Sequence, residues 1–208
     1  MDTSGILKEL NAERVNIVEP DGKLRMAIFN SENMAECLVE GQNPLPGHRE
    51  GHGEAGIVFY NNHEDECGGM GYSSASMQDG SYHSSLSFTF DQYKQDQVVQ
   101  VFSREQNGKR QYGFQVFDRP ETSILQTIEG VKILRDPATP EAEKERLYKE
   151  MAVGNAVRMT LAKDPDGSVG VRIMDSKGRE RIRMQVGADG QPVFEILDED
   201  GNSIPLKS

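Results

Sequence analysis

The fold is decided by residues 158–206, RMTLAKDPDGSVGVRIMDSKGRERIRMQVGADGQPVFEILDEDGNSIPL, in which an alternating apolar run is followed repeatedly by an aspartate–glycine turn. The runs begin at residues 158, 169, 181 and 193, so a new one starts every 11 or 12 residues. Alternation of apolar and polar residues is typical of strands with one buried face, and Asp-Gly pairs favour tight hairpin turns. This stretch therefore predicts an up-and-down antiparallel meander.

The first half of the chain contains similar apolar runs at less regular intervals. A strand is predicted for each of the runs Arg14–Val18, Leu24–Asn30, Ala55–Tyr60, Ser85–Phe90, Val98–Ser103 and Gln111–Phe117. Residues 31–55 and 73–84 are rich in Gly, Ser, Asn, Glu and His, and we interpret them as irregular segments. Residues 6–13 are predicted to form a short helical lead-in.

The period of the pattern changes between residues 121 and 152. Ile124, Ile128, Val131 and Leu134 recur at helical spacing. The predicted fold is mainly β (α+β): an antiparallel meander forming a barrel or a sandwich, with a helical hairpin insertion at about 121–152. We predict a single domain over 1–208, with a first β block at 14–120, the helical hairpin, and a C-terminal β meander at 153–208.

The charge of the chain limits its partners. The formal net charge is −11, and residues 1–120 hold 18 acidic and 10 basic side chains. Such a surface repels nucleic-acid phosphates and anionic membranes, so we predict neither partner. The start of the chain has no basic, apolar signal sequence, and two cysteines do not form a disulfide framework. These features predict a cytoplasmic protein, and the open edges of a meander predict homo-oligomers.

Several motifs resemble those of a widespread bacterial family of uncharacterised β-rich proteins. The motifs are Glu13–Met26 (ERVNIVEPDGKLRM), Asp65–Gly69 (DECGG), Asp118–Pro120 (DRP) and Phe90–Gln97 (FDQYKQDQ). The resemblance covers most of the chain and implies a shared fold. The family has no assigned reaction, so the resemblance implies no function.

Three histidines and a cysteine are the candidate metal ligands. His48 and His52 are spaced i, i+4, and so are His63 and Cys67. This spacing brings two ligands together only on a helix, and glycines at 47, 51 and 53 argue against one. Solvated loop histidines are therefore the preferred interpretation, and no metal site is predicted.

The run from Asp91 to Gln97 interrupts the strand pattern without a Gly or Pro. If the strand continued, Lys94 and Asp96 would share the face of Phe88 and Phe90, which we expect to point inward, and Asp91 and Tyr93 would share the other face. Charges that enter a core acquire shifted pKa values, as acid–base catalysis requires. The alternative is that the run leaves the sheet or pins a crossing of the sheet with structural hydrogen bonds.

Two further segments complete the set of candidate site residues. Glu66 and Cys67 lie in an acidic turn, and Arg119 follows a strand where it could hold an anionic group of a ligand. We predict Asp91, Tyr93, Lys94 and Asp96 as catalytic residues, and Glu66, Cys67 and Arg119 as substrate-binding residues. A solvated turn and a local ion pair are the respective alternatives.

Two functional hypotheses follow from these candidates. The first is a small-molecule-binding β protein that acts as a cofactor-independent enzyme of the isomerase, cyclase or lyase type. The second is a non-catalytic module for protein interaction or self-assembly. The chain has no GxSxG elbow, phosphate loop or dinucleotide fingerprint, and we predict no cofactor. A pocket shared by residues 65–69 and 91–97 would favour the first hypothesis.

Overall fold

A computed structural model describes residues 7–205 of the chain. The alternating runs form strands, which confirms the predicted mainly β fold. Eleven strands are present, and in chain order they are β1 (Arg14–Val18), β2 (Leu24–Phe29), β3 (Ala55–Tyr60), β4 (Glu66–Ser76), β5 (Tyr82–Asp91), β6 (Gln97–Gln106), β7 (Lys109–Asp118), β8 (Ala156–Lys163), β9 (Val169–Met174), β10 (Glu180–Val186) and β11 (Pro192–Ile196).

The predicted helical hairpin lies between β7 and β8. Helix α1 spans Ile124–Arg135 and helix α2 spans Glu141–Ala152. The Ser123 side chain caps α1 by accepting a hydrogen bond from the backbone N–H of Leu125. Lys132 and Arg135 lie in the last turn of α1, where they complement the helix dipole.

All eleven strands belong to one antiparallel sheet, in which each strand pairs with its neighbours in sequence. Strands β1 and β11 are the two edges. Within residues 7–205 the sheet does not close into a barrel, and the strands form one hydrogen-bonded sheet rather than the two of a sandwich. The antiparallel meander was therefore predicted correctly, but the sheet is open and does not form the barrel that was one of the two predicted arrangements.

One face of the sheet, the apolar face, carries hydrophobic side chains from edge to edge. A single row of directly paired residues crosses all eleven strands and contains no polar side chain. The row is Val15, Ile28, Ile57, Met70, Phe88, Val101, Phe114, Leu161, Val171, Met184 and Phe194.

The opposite face is covered by the irregular segment over the first strands, and Phe102 of β6 and Ala162 of β8 are also buried on it. Ala27 and Phe29 of β2 and Val58 and Tyr60 of β3 are buried there beneath the irregular segment 31–54. Farther along the sheet this face becomes polar, as in the row that pairs Gln100, Gln115, Thr160, Arg172, Arg183 and Glu195. The buried core thus lies on the side opposite the apolar face.

Two local predictions were wrong. Strand β4 runs through residues that we interpreted as a turn and an irregular segment, because its glycines and serines have low strand propensity. Pairing with β3 and β5 on both sides outweighs that propensity. Residues 7–13 are not helical, and Ile6, the first residue of the predicted lead-in, lies outside the described residues.

Among the residues that the structure describes, neither helix is long and apolar enough to cross a bilayer.

Candidate functional site

A cavity of about 320 Å³ opens on the covered face of the sheet, beside helix α1. Three parts of the chain form its walls: the irregular segment at 37–49, the adjoining ends of β4, β5 and β6, and one side of α1. The charged or titratable side chains that line it are Cys37, His48, Arg49, Asp65, Glu66, Asp91, Lys94 and Asp96. Its volume lies within the range of small-molecule sites.

A partly buried ion pair forms one wall of the cavity. The Arg49 guanidinium lies 2.7 Å from both carboxylate oxygens of Glu66, and it also donates to the backbone carbonyl of Ala35 at 2.9 Å. The neighbouring Tyr60 hydroxyl donates to the carbonyl of Glu36 at 2.6 Å. These bonds fasten the irregular segment to β3 and β4, so that the segment forms a fixed wall of the cavity.

Asp91 is the last residue of β5 and lies beside this ion pair. Its Oδ1 atom is buried and has no hydrogen-bond partner among the described residues. Burial is the main reason that the pKa of Asp91 is raised to about 7. The negative charges of Glu66 and Asp96 also raise this pKa, and the positive charges of Arg49 and Arg119 lower it by a smaller amount. A carboxyl group of this kind exists in both protonation states near neutral pH, as a general acid or base must.

Cys37 and His48 are two further titratable groups that line the cavity. Burial and the Glu66 carboxylate raise the pKa of the Cys37 thiol to about 12, so the thiolate that a nucleophile requires is not formed. Burial, Arg135 and His52 lower the pKa of His48. The Arg135 guanidinium donates to His48 Nδ1 at 3.0 Å. Among Cys37, His48 and Asp91, only the Asp91 carboxyl has a pKa of about 7.

The run after Asp91 leaves the sheet as a tight turn, in agreement with the alternative interpretation. Gln92 N–H donates to the Asp96 carbonyl at 3.1 Å, and Gln95 N–H donates to the Gln92 carbonyl at 2.9 Å. Lys94 adopts a φ of 53° in this turn, and its ammonium group pairs with Glu40. The expected inward face was also wrong, because Phe90 is 50% exposed on the apolar face and Asp91 points to the cavity side.

The turn also fixes helix α1 against the cavity. The Gln95 side chain is buried and donates to the Thr122 carbonyl at 2.8 Å, while the Lys94 carbonyl accepts the Ile124 N–H at 2.8 Å. As a result, Ile128 and Val131 of α1 line the same cavity as Asp91.

The structure brings some of the predicted site residues together. Asp91, Asp96, Lys94 and Glu66 all line the cavity, and so do residues of both segments that were expected to share a pocket. Three predicted residues, Tyr93, Cys67 and Arg119, are not among those that line it. Tyr93 is 64% exposed at the tip of the turn, and Cys67 lies at a bulge of β4.

Arg119 does not line the cavity, but it contacts Asp96 and Gln97, which do. Its guanidinium donates to the Gln97 carbonyl at 2.7 Å and to the Asn155 side chain at 3.1 Å. It also lies 3.5 Å from the Asp96 carboxylate. These contacts are those of a residue that positions the start of β6, rather than of one that binds an anion.

The histidines do not assemble a metal centre. His48 lies in a turn and His52 in irregular chain just after it, in agreement with the glycines around them, and their ring centroids are 5.6 Å apart. In the described part of the chain, no three His, Cys, Asp or Glu side chains cluster closely enough to hold a metal ion.

The sequence analysis missed the irregular segment as a source of site residues. Arg49, Cys37 and Leu38 all line the cavity, but none of them lies on a predicted element. One signal was present: Arg49 is the only Lys or Arg between Arg25 and Lys94. A lone cation in an acidic stretch has many carboxylates to pair with, and it is a reasonable candidate for a buried ion pair.

Strained backbone surrounds the cavity. Four described non-glycine residues have positive φ, and three of them, Glu40, Glu64 and Lys94, lie in turns bordering the cavity. Such conformations cost on the order of 1–3 kcal/mol each and persist where surrounding contacts enforce them. They are concentrated at functional sites in other proteins, which adds weight to this location.

Comparison with known proteins returned no matching family model and no matching curated protein. The bacterial family suggested by the sequence motifs therefore remains a prediction.

Proposed function

We propose that the protein binds a small molecule in the cavity beside α1 and exchanges a proton with it through Asp91. The observation that carries this proposal is the buried, unpartnered Oδ1 atom of Asp91 at the edge of a cavity of about 320 Å³. A buried polar atom without a partner is costly to the fold, and a ligand hydroxyl or amine would satisfy it.

The division of the cavity into polar and apolar walls indicates what kind of ligand fits. Asp91 and the Arg49–Glu66 pair present polar groups on one side, and Ile124, Ile128 and other apolar residues face them. A small organic molecule with one polar end matches this arrangement. In isomerisation, cyclisation and elimination the other bonds that form and break can belong to the substrate alone, so a titratable carboxyl group that takes up and returns a proton is a suitable minimal catalyst for a cofactor-independent enzyme of these types.

Native mass spectrometry tests the proposal directly. The intact protein, incubated with a metabolite extract, is compared with its denatured mass and with an Asp91→Asn variant that keeps the shape of the side chain. Asp79→Asn, at an exposed turn acid, is the matched control. We expect a retained non-metal adduct on the wild-type protein and on the control that Asp91→Asn loses at least tenfold. An adduct that Asp91→Asn retains equally, or an empty wild-type protein, would refute the proposal.

A cytoplasmic location is proposed with this function. Both cysteines, Cys37 and Cys67, are free thiols, as is usual for proteins of a reducing compartment. Fractionation of cells that express a tagged chain tests the location, and recovery of the protein outside the cytoplasmic fraction would contradict it.

A further inference from the structure

The proposed function does not use the apolar face described above. Six residues of its edge-to-edge row are between 41% and 53% exposed: Ile28, Met70, Val101, Leu161, Met184 and Phe194. A second row beside it, which includes Phe90, Val99, Val116 and Met159, is also apolar. Neither row contains a charged side chain.

The size of this face exceeds what a soluble monomer leaves open. Eleven strands spaced about 4.8 Å apart make a sheet about 50 Å wide, and two rows of residues on one face, each about 6.8 Å deep, cover about 14 Å along the strands. The resulting area is roughly 700 Å², whereas the largest apolar patch on a typical monomer is about 300–600 Å². Stable protein–protein interfaces bury about 600–1,000 Å² per partner, so the two rows are large enough to form one.

We infer that two copies of this chain pack their apolar faces against each other and form a homodimer with a two-sheet core. A second copy fits because the two apolar rows span the sheet and carry no charge, so the identical rows of a partner complement them without any charge to be matched. Two sheets packed face to face at about 10 Å bury such rows in the manner of a β-sandwich.

The rest of the surface indicates that assembly stops at two copies. The opposite face carries Arg172, Arg183 and Glu195 on β9, β10 and β11, and it therefore offers no second apolar surface. An interface formed by the same patch on both copies is closed by a twofold axis. The net charge of −11 opposes the alternative use of this face on an anionic membrane.

A pair of neighbouring substitutions tests the inference. Val101 and Gln100 are adjacent on β6 and point to opposite faces of the sheet. We expect the wild-type chain of 23.2 kDa to have twice that mass in light scattering after gel filtration. Val101→Glu should reduce the mass to that of one chain with circular dichroism preserved, whereas Gln100→Glu should leave the dimer intact. A second pair, Met184→Lys and Gln185→Lys on β10, repeats the comparison.

Oxidation of the wild-type protein gives a readout that needs no variant. Met70 and Met184 lie on the apolar face, whereas Met77 is comparably exposed in the turn after β4. In the dimer, peroxide should oxidise Met70 and Met184 at least fivefold more slowly than Met77. A monomeric wild-type protein, a dimer that survives both face substitutions, equal oxidation of the three methionines, or flotation of the protein with phosphatidylcholine vesicles would overturn the inference.

Discussion

At the scale of single residues, the cavity places two different carboxyl groups side by side. The Glu66 carboxylate is paired with a cation, whereas one oxygen of the Asp91 carboxyl group has no hydrogen-bond partner among the described residues. Arg49 neutralises Glu66 at 2.7 Å, and this leaves Asp91 without a cation of its own at close range. Burial therefore dominates the pKa of Asp91. Burying a carboxyl group in this way destabilises the folded protein, so Asp91 is a candidate for a functional role rather than a stabilising one.

The first prediction concerns the pH dependence of stability caused by Asp91. Its pKa is raised from 3.8 in the unfolded chain to about 7 in the folded protein. Between these values the folded state binds more protons than the unfolded state, so stability falls as pH rises, by about 1.4 kcal/mol per pH unit. Asp91→Asn should remove this loss. The difference in unfolding free energy between variant and wild type should therefore grow from pH 5 to pH 7.

Urea denaturation of both proteins at pH 5, 6, 7 and 8 provides the measurement. The difference should level off above pH 7, where Asp91 is ionised in both states. A difference that stays constant across this range would show that the folded-state pKa of Asp91 is not raised.

The second prediction concerns the ion pair. Arg49→Met removes the cation and leaves the Glu66 carboxylate and the Ala35 carbonyl without their partner in the wall of the cavity. Breaking a buried pair costs about 3–5 kcal/mol, and partial solvent access should lower this loss to about 2–4 kcal/mol. Arg146→Met is the control, because Arg146 pairs with Glu143 on the exposed side of α2 and should cost less than about 1 kcal/mol. Equal losses in thermal or urea unfolding would contradict the assigned role.

At the scale of elements, the turn at 92–96 joins the sheet to the helical hairpin. The Gln95 side chain is 6% exposed; its amide donates to the Thr122 carbonyl and its carbonyl accepts the Asp96 N–H. This buried side chain, which belongs to neither a strand nor a helix, therefore acts together with the bond from the Ile124 N–H to the Lys94 carbonyl in holding α1 beside the cavity.

The third prediction follows from this connection. Gln95→Ala leaves a carbonyl and an N–H group without their partners, which should cost about 1–3 kcal/mol of stability. Gln106→Ala, at an exposed position at the end of β6, should change stability by less than about 0.5 kcal/mol. Hydrogen exchange at the start of α1 should also rise in Gln95→Ala alone. Unchanged exchange there would show that other contacts hold the helix.

At the scale of the whole molecule, the meander has an unusually simple topology. Every strand pairs with its neighbours in sequence, so each element depends on those beside it, as in a repeat protein. The strands in the middle are supported from both sides, while β1 and β11 are supported from one.

The fourth prediction is a gradient of hydrogen-exchange protection along the sheet. Amides of β6 should exchange at least tenfold more slowly than those of β11, because opening can begin at the edge without disturbing the centre. Exchange of backbone amides followed by mass spectrometry of peptides from both strands measures this directly. Uniform protection of β6 and β11 would indicate that the sheet unfolds as one cooperative unit.

The sequence alone determined the meander and the helical insertion, because both depend on local patterns. Alternation with a period of two and Asp-Gly turns specify a hairpin within about 12 residues, as at Asn107-Gly108, where both residues have positive φ. Strand β4 was not predicted, because its glycines and serines have little preference for the strand conformation. It forms because it pairs with β3 on one side and β5 on the other.

Only the tertiary structure decided the site and the orientation of the sheet. Arg49, Glu66 and Asp91 are far apart in sequence, and no local pattern brings their side chains to one cavity. The same holds for the faces of the strands. Alternation shows that Phe88 and Val101 share a face, but the direction in which the segment 31–54 folds leaves that face open and covers the other. Long-range packing made that choice, because either face could have satisfied the pairing of the strands.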